Sequence, residues 1–306
     1  MLLTLILSGI LTFVELNCEN LFDTHHDSLR QDAEFLPEGV RHWTKTKYWS
    51  KLNKIGQTIL SCADQQPDLV ALCEVENDTV LHDLTRRSLL REAGYEYLMT
   101  ESADRRGIDV ALLYHPASFR PLCYEYIEVP PCRGMRPTRD ILYVKGVTNV
   151  LDTLHVFVLH APSRYGGERK SRPFRMQVVN TLLKTAQGIK GNMIIAGDFN
   201  DYATSPSLRQ MEKNGFVNAT KKAVGIGGKA RGTYRYRGEW HSLDHIVLSP
   251  DLAEKVERFF VNDASFLLEE EQVYGGYRPR RSFQGFQYRK DGFSDHLPLV
   301  IRFTTR

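Results

Sequence analysis

The residues best suited to chemistry lie in the stretch from Asn192 to Asp201, NMIIAGDFND. Met193 to Ala196 is a short apolar run of the kind that forms a strand buried on both faces, and Gly197 ends it. Asp198 and Asn200 follow two residues apart, so continued extended geometry sends both side chains to one face. A carboxylate there can accept a proton from a nucleophilic water or fix a partner's orientation. A carboxamide offers a donor and an acceptor to hold that water in line. The same residues would also make an ordinary turn closing a core strand. Which reading holds depends on what else converges there.

The same pattern recurs along the chain. Asn17 follows FVEL, Glu74 follows LVALC, His160 follows VFVL, and Asp295 with His296 stands just before LPLVI. Asp244 opens the strand that continues HIVL, and Asp109 heads VALL. Rims of rigid sheets commonly carry active-site groups. Glu74, Asn17 and Asp295 together give an oxygen-only set, suited to a hard cation such as Mg2+ or Mn2+ and poor for zinc. His160 and His296 work near neutral pH as base, acid or donor to a phosphate oxygen, and Asp244 and Asp109 are available to set their tautomers. Metal-assisted attack of water on a phosphate ester uses all of these groups. Arg164, Arg169, Arg172 and Arg175 surround Gly166 and Gly167 in a loop entering a helix. Arg164 and Arg169 are the candidate phosphate clamp there, although a solvated helix entry would look the same.

The elements that must position these groups alternate between strands and helices. Tyr48, Leu52, Ile55 and Ile59 recur at helical spacing and predict an amphipathic helix over 44–62. A second helix is expected over 78–92, and a third from Pro173, with Phe174, Val178, Leu182 and Ala186 on its apolar face. Strands dominate 95–160. The stretch 273–291, rich in Gly, Arg and aromatics, reads as a long loop over one end of a sheet. Trp240, Tyr234, Tyr236, Phe283, Phe286 and Tyr288 would stack bases, line a lid or cover a sheet edge.

Composition sets outer bounds. At 306 residues the chain buries a full core, and its net charge of +3 with no long basic stripe argues against a processive nucleic-acid grip. Five cysteines without a CxxC pair indicate neither a zinc site nor a disulfide framework. The apolar start lacks a basic n-region and is too short to span a bilayer, so no stable membrane insertion is expected. Residues 1–9 read as a signal-peptide remnant or a strand extension, and 10–306 as one domain. Exported and cytoplasmic locations both fit, and a monomer is the expected state.

The ordered series Asn17-Cys18-Glu19-Asn20, Leu72-Cys73-Glu74-Val75, Arg106-Gly107-Ile108-Asp109-Val110-Ala111, His160-Ala161-Pro162-Ser163-Arg164, Gly197-Asp198-Phe199-Asn200, Ser242-Leu243-Asp244-His245 and Ser294-Asp295-His296 resembles the endonuclease/exonuclease/phosphatase superfamily over nearly the whole chain. That resemblance implies an α/β (α+β) fold of DNase I type, a four-layer sandwich of two mixed sheets with helices outside. It implies Glu74 as principal Mg2+ ligand (Mn2+ also fits), with Asn17 and Asp295 near the metal or its waters. Asp198 would activate or orient the attacking water and Asn200 position it. His296, held by Asp244, and His160 would contact phosphate oxygens, and Asp109 is the expected partner of His160. Leu16, Ala161 and His245 depart from the family pattern and bear on pocket shape. The substrate would be a phosphate mono- or diester, DNA and RNA included. The rival reading is a non-catalytic phosphate-ligand or partner-binding module on the same fold, which need not keep Glu74, Asp198, Asn200 and His296 together.

Overall fold

The computed structural model describes residues 9–304. The expected signal remnant, apart from Gly9, therefore lies outside the described residues. In chain order the elements are β1 (Ile10–Leu21), α1 (Lys45–Leu60), β2 (Leu69–Val75), α2 (Asp78–Arg86), β3 (Glu96–Met99), β4 (Asp109–Tyr114), β5 (Phe119–Ile127), β6 (Ile141–Thr148) and β7 (Asp152–His160). There follow α3 (Glu168–Ala186), β8 (Asn192–Asp198), α4 (Pro206–Lys213), β9 (Val217–Asn218), β10 (Tyr234–Tyr236), β11 (Glu239–His241) and β12 (Asp244–Leu248). The chain closes with α5 (Pro250–Ala253), β13 (Val256–Val261), β14 (Leu268–Glu270), β15 (Tyr277–Pro279), β16 (Phe283–Gln284), β17 (Gln287–Tyr288) and β18 (Leu299–Thr304).

Two six-stranded sheets carry the fold, ordered β13-β18-β1-β2-β4-β3 and β5-β6-β7-β8-β12-β9. Each is mixed, since β1–β2 and β7–β8 run parallel and the other pairs antiparallel. Strand period decides which residues enter which layer. Along β1, Leu11 and Phe13 pack between the sheets, whereas Val14 and Leu16 pack with Tyr48, Leu52, Ile55 and Ile59 of α1. Along β8, Ile194 and Ala196 face the inter-sheet core, whereas Met193 and Ile195 meet Val178, Val179 and Leu182 of α3. The result is the expected helix, sheet, sheet, helix stack.

Three expectations shift. Helix α2 ends at Arg86, sooner than 92. Helix α3 begins at Glu168, ahead of Pro173, which sits inside it and leaves one carbonyl of the preceding turn without its helical N–H. The stretch 273–291 is built rather than loose. It contains β15 and the hairpin β16–β17, with Phe283 and Tyr288 packed against Trp43 at ring distances of 5.6 and 5.3 Å. Trp43 and Phe35 lie in a segment with no sequence periodicity, so this aromatic cluster was hidden until the chain folded back.

Candidate active site

Parity along the strands gathers the site. Continuing the inward-facing rows leads from Phe13 to Glu15 and Asn17, from Val158 to His160, from Ala196 to Asp198, and from Ile246 back to Asp244. Register then aligns them, because His160 pairs with Asp198 across β7–β8 and Asp198 with Asp244 across β8–β12. The opposing sheet supplies Asn17, whose Nδ2 donates to Asp198 Oδ2 at 3.1 Å. A wall of apolar layers thus ends in one polar rim. Gly197 permits the close approach of β7 and β8 beneath it, as a Cβ there would stand 1.9 Å from the Leu159 carbonyl oxygen.

Glu74 obeys a different rule. Its parity points toward α1, but the ladder between β2 and β4 breaks between Cys73 and Val75 and Glu74 takes φ of 63°. This bulge swings its carboxylate to the rim. Oε2 accepts from the Asn20 N–H at 2.8 Å, while Oε1 lies 3.9 Å from His160 Nε2 and 4.0 Å from Arg106 Nη1. Glu19, Asn20 and Asn200 also have positive φ, at 51°, 62° and 51°. Left-handed non-glycine residues gathered at one site mark backbone held in place by its surroundings.

Around Asp198 the bonding is dense. Its Oδ1 accepts from the Asn200 N–H at 2.7 Å, and Asn200 Nδ2 lies 3.2 Å from Oδ2 and donates to the Ala161 carbonyl at 3.0 Å. His160 Nε2 stands 3.6 Å from Asp198 Oδ2. Burial, then the neighbouring Asp244, pushes the Asp198 carboxyl up to about 8, with His296 drawing it back. His296 shows the opposite balance. Its Nδ1 is 2.7 Å from Asp244 Oδ2, and although burial disfavours its charge, Asp244, Asp295 and Asp198 hold it well above the ordinary imidazole range. Burial, Arg139 and Arg106 keep His160 well below that range. One imidazole is therefore cationic and one neutral.

The expected pairing of Asp109 with His160 does not form. Asp109 follows the parity of Ala111 and Leu113, which face α1 and α2, so its carboxylate points away from the inter-sheet face. Thr100 Oγ1 donates to it at 2.7 Å and the Ser102 N–H at 3.1 Å, while His160 Nδ1 has no partner among the described residues. The arginine clamp also changes character. Arg164 lies 3.0 Å from Glu168 and 3.5 Å from Asp201, with its guanidinium 4.3 Å above the Tyr202 ring. Arg175 is fully buried against Asp201 at 2.7 Å, and Arg169 is exposed.

Residues that the motif reasoning passed over complete the rim. Arg139 donates to the carbonyls of His160 and Ala161, each at 3.2 Å, and pairs with Asp104 at 2.9 Å, fixing the end of β7. Thr233 donates to Asp244 Oδ2. Glu15 lies fully buried one step below Asn17, and burial, followed by Asp244 and Asp198, holds it well above the usual carboxylate range. A charged residue two before Asn17 in an otherwise apolar run was the signal for Glu15. Thr233 offered none.

The donor chemistry fits a hard divalent cation. Glu74 and Asp295 keep part of their surface open, with side chains 13% and 25% exposed, and each has a carboxylate oxygen free of hydrogen bonds. Asn17 Oδ1 is less available, since it accepts from the Glu19 N–H at 2.9 Å. Asp198, Asp244 and His296 also bring one donor atom each within 4.8 Å of the others, a spacing that a metal could bridge. There Asp244 Oδ2 is already bonded to His296 and Thr233, while its buried Oδ1 has no hydrogen-bond partner, so the trio keeps one oxygen able to meet a cation beside a carboxylate–imidazole pair able to place a proton.

The profile of the Endonuclease/Exonuclease/phosphatase family matches residues 12–305, and the chain belongs to that family. No curated protein matches the sequence. Among solved structures, an endonuclease/exonuclease/phosphatase family protein from Bacteroides thetaiotaomicron superposes with a TM-score of 0.64 at 16% identity, covering 98% of this chain and 99% of that one. A mannosyl-6-phosphatase from the same species gives 0.61 at 17% identity, with coverage of 95% and 98%. The catalytic domain of human Nocturnin, with a bound sulfate anion, gives 0.57 at 18% identity, with coverage of 97% and 98%. At these identities the likeness is one of fold, and it agrees with the two-sheet sandwich described above.

Proposed function

We propose that the protein is a divalent-metal-dependent phosphoesterase that hydrolyses a phosphate mono- or diester by in-line attack of water. The observation that carries this reading is the meeting of Asn17, Glu74, His160, Asp198, Asn200, Asp244 and His296 at one sandwich rim, from widely separated parts of the chain. Glu74 and Asp295 are the groups to hold the cation, Mg2+ or Mn2+, with Asn17 beside them. When bound, the cation supplies charge stabilisation at the phosphate and favours the deprotonated form of groups near it.

The chain's own residues supply the remaining chemistry. Asp198, raised to about 8 by burial, is tuned to take a proton near neutral pH, and Asn200 fixes its orientation. His296, cationic and held by Asp244, meets the negative charge of the phosphate. His160 is neutral and donates to a second oxygen or orders the water. Family membership and the phosphatase named among the structural neighbours support the same class of reaction.

Bis(p-nitrophenyl) phosphate and p-nitrophenyl phosphate, assayed with Mg2+, Mn2+ or EDTA, test the reading. EDTA should abolish turnover and Mg2+ restore it. Asp198→Ala should lower kcat by about 10²–10⁴-fold, the range of a positioned acid or base. Turnover that survives both treatments would refute the assignment. Plasmid DNA, RNA and sugar phosphates assayed side by side would then resolve the substrate.

A further inference from the structure

The rim gathers four carboxyl groups, those of Glu74, Asp198, Asp244 and Asp295, and an anionic ester settles among them only where positive charge faces it. The motif arginine Arg164 is turned to Glu168 and Asp201. Arg139 reaches the rim, but it is buried and spends its guanidinium on Asp104 and two carbonyls. Lys51 is fully buried, with its Nζ donating to Ser282 Oγ at 2.7 Å. Among the described residues, Arg106 is the one lysine or arginine within ion-pair distance of a rim carboxylate, its Nη1 standing 4.0 Å from Glu74 Oε1.

That contact leaves the guanidinium open. The Arg106 side chain is 45% exposed, and at 4.0 Å it makes no hydrogen bond to Glu74. Glu74 Oε1 therefore lies between two donors, His160 Nε2 at 3.9 Å and Arg106 Nη1 at 4.0 Å, and is bonded to neither. What holds Arg106 in place is a neutral group. Its Nη2 donates to Asn20 Oδ1, and the Asn20 N–H donates to Glu74 Oε2 at 2.8 Å. One residue, at φ of 62°, thus orients both the carboxylate and the cation.

The loop that carries Arg106 is pinned as well. The Arg106 N–H donates to Asp104 Oδ1 at 2.9 Å, Asp104 Oδ2 meets Arg139 at 2.9 Å, and the Asp104 carbonyl accepts from Arg30 at 2.8 Å. Asp109, which does not pair with His160, anchors the start of the same loop through Thr100 and Ser102. A guanidinium on a fastened backbone at the mouth of the site, bonded only to a neutral amide, is prepared to receive an anion.

Resting on the phosphoesterase reading, we propose that Arg106 is a substrate-binding residue whose guanidinium takes non-bridging oxygens of the phosphate seated beside Glu74 and His160.

Inorganic phosphate titrated by calorimetry in Mg2+ buffer tests the contact without turnover, and KM for p-nitrophenyl phosphate complements it. Arg106→Gln should weaken phosphate binding at least tenfold and raise KM, while its affinity for Mg2+ should not fall. Arg106→Lys, which keeps the charge and loses the planar fork, should lie between it and wild type. Arg105→Gln, at the exposed neighbour, should change neither quantity. Phosphate affinity in Arg106→Gln within twofold of wild type would overturn the proposal and leave Arg106 a counter-charge of Glu74. An equal loss of Mg2+ affinity would also overturn it, by placing the effect at the metal, as would a wild type that takes up no phosphate. If Arg106→Gln does not fold, the lysine variant decides by the same criteria. A wild type that binds phosphate through Arg106 yet cleaves no ester would uphold this contact and sink the phosphoesterase reading instead.

Discussion

His296 and His160 sit a few ångströms from the same carboxylate and yet carry opposite charge states. His296 is bonded through Nδ1 to Asp244, while His160 has an unpartnered Nδ1 and Arg139 close behind it. The difference lies in their partners, because burial disfavours the charge on both. Asp244→Asn removes the partner's charge and keeps its shape, so kcat should fall about 10- to 100-fold, the usual cost of losing a group that orients a functional imidazole. KM should move little. A chemical-shift titration of the His296 ring in the same variant should show its pKa dropping toward the ordinary value, and an unmoved titration would place the holding charge elsewhere.

Among the elements, the loop from β8 into α4 depends on a buried charge pair. Arg175 of α3 and Asp201 are both wholly shielded and 2.7 Å apart, and Ser207 adds a hydrogen bond to Asp201 at 2.5 Å. The pair lies directly behind Asn200, tying the helix layer to the active rim. Arg175→Met would leave the buried Asp201 carboxylate with only the longer contact to Arg164 at 3.5 Å, at a cost of up to roughly 3–5 kcal/mol. Pairing it with Asp201→Asn should recover much of that loss, which urea unfolding of the single and double variants would measure. Strand β5 shows a different use of charge. It is a sheet edge exposing Leu122, Tyr124 and Tyr126, and Pro121, a register break and Glu125 blunt it against pairing with another chain.

For the whole molecule, stability is coupled to pH through a histidine outside the catalytic set. His245 is completely buried, its Nε2 donating to the Asp201 carbonyl at 2.8 Å, and burial pushes its pKa down to about 4. The unfolded chain, with an imidazole near 6.5, takes up a proton that the folded chain refuses between those values. Its contribution is therefore intact above pH 6.5 and is lost as pH falls toward 4, amounting to about 2 kcal/mol by pH 5. Denaturant unfolding at pH 7.5 and pH 5.0 should show His245→Gln losing less stability than wild type across that interval. Equal slopes would assign the acid sensitivity to other groups. No described helix is long and apolar enough to cross a membrane.

The chain's order of letters determined the strands, the amphipathic face of α1, and the placing of His160, Asp198 and Asp244 at strand ends and of Asn17 just past the apolar part of β1, because the period of two is a local property that each apolar run displays. It also carried the family's motifs, and with them the sandwich. Only the tertiary structure decided which rim groups face one another. Asp109 reads as well as Asp244 in one dimension, yet the parity of β4 turns it away while a bulge turns Glu74 inward. The arginines show the same division. Arg164 stands in a motif and spends its charge within the protein, whereas Arg139, which no motif marked, fixes the end of β7 at the rim. Partner choice among charged side chains is set by distances across the fold, which a linear pattern does not contain.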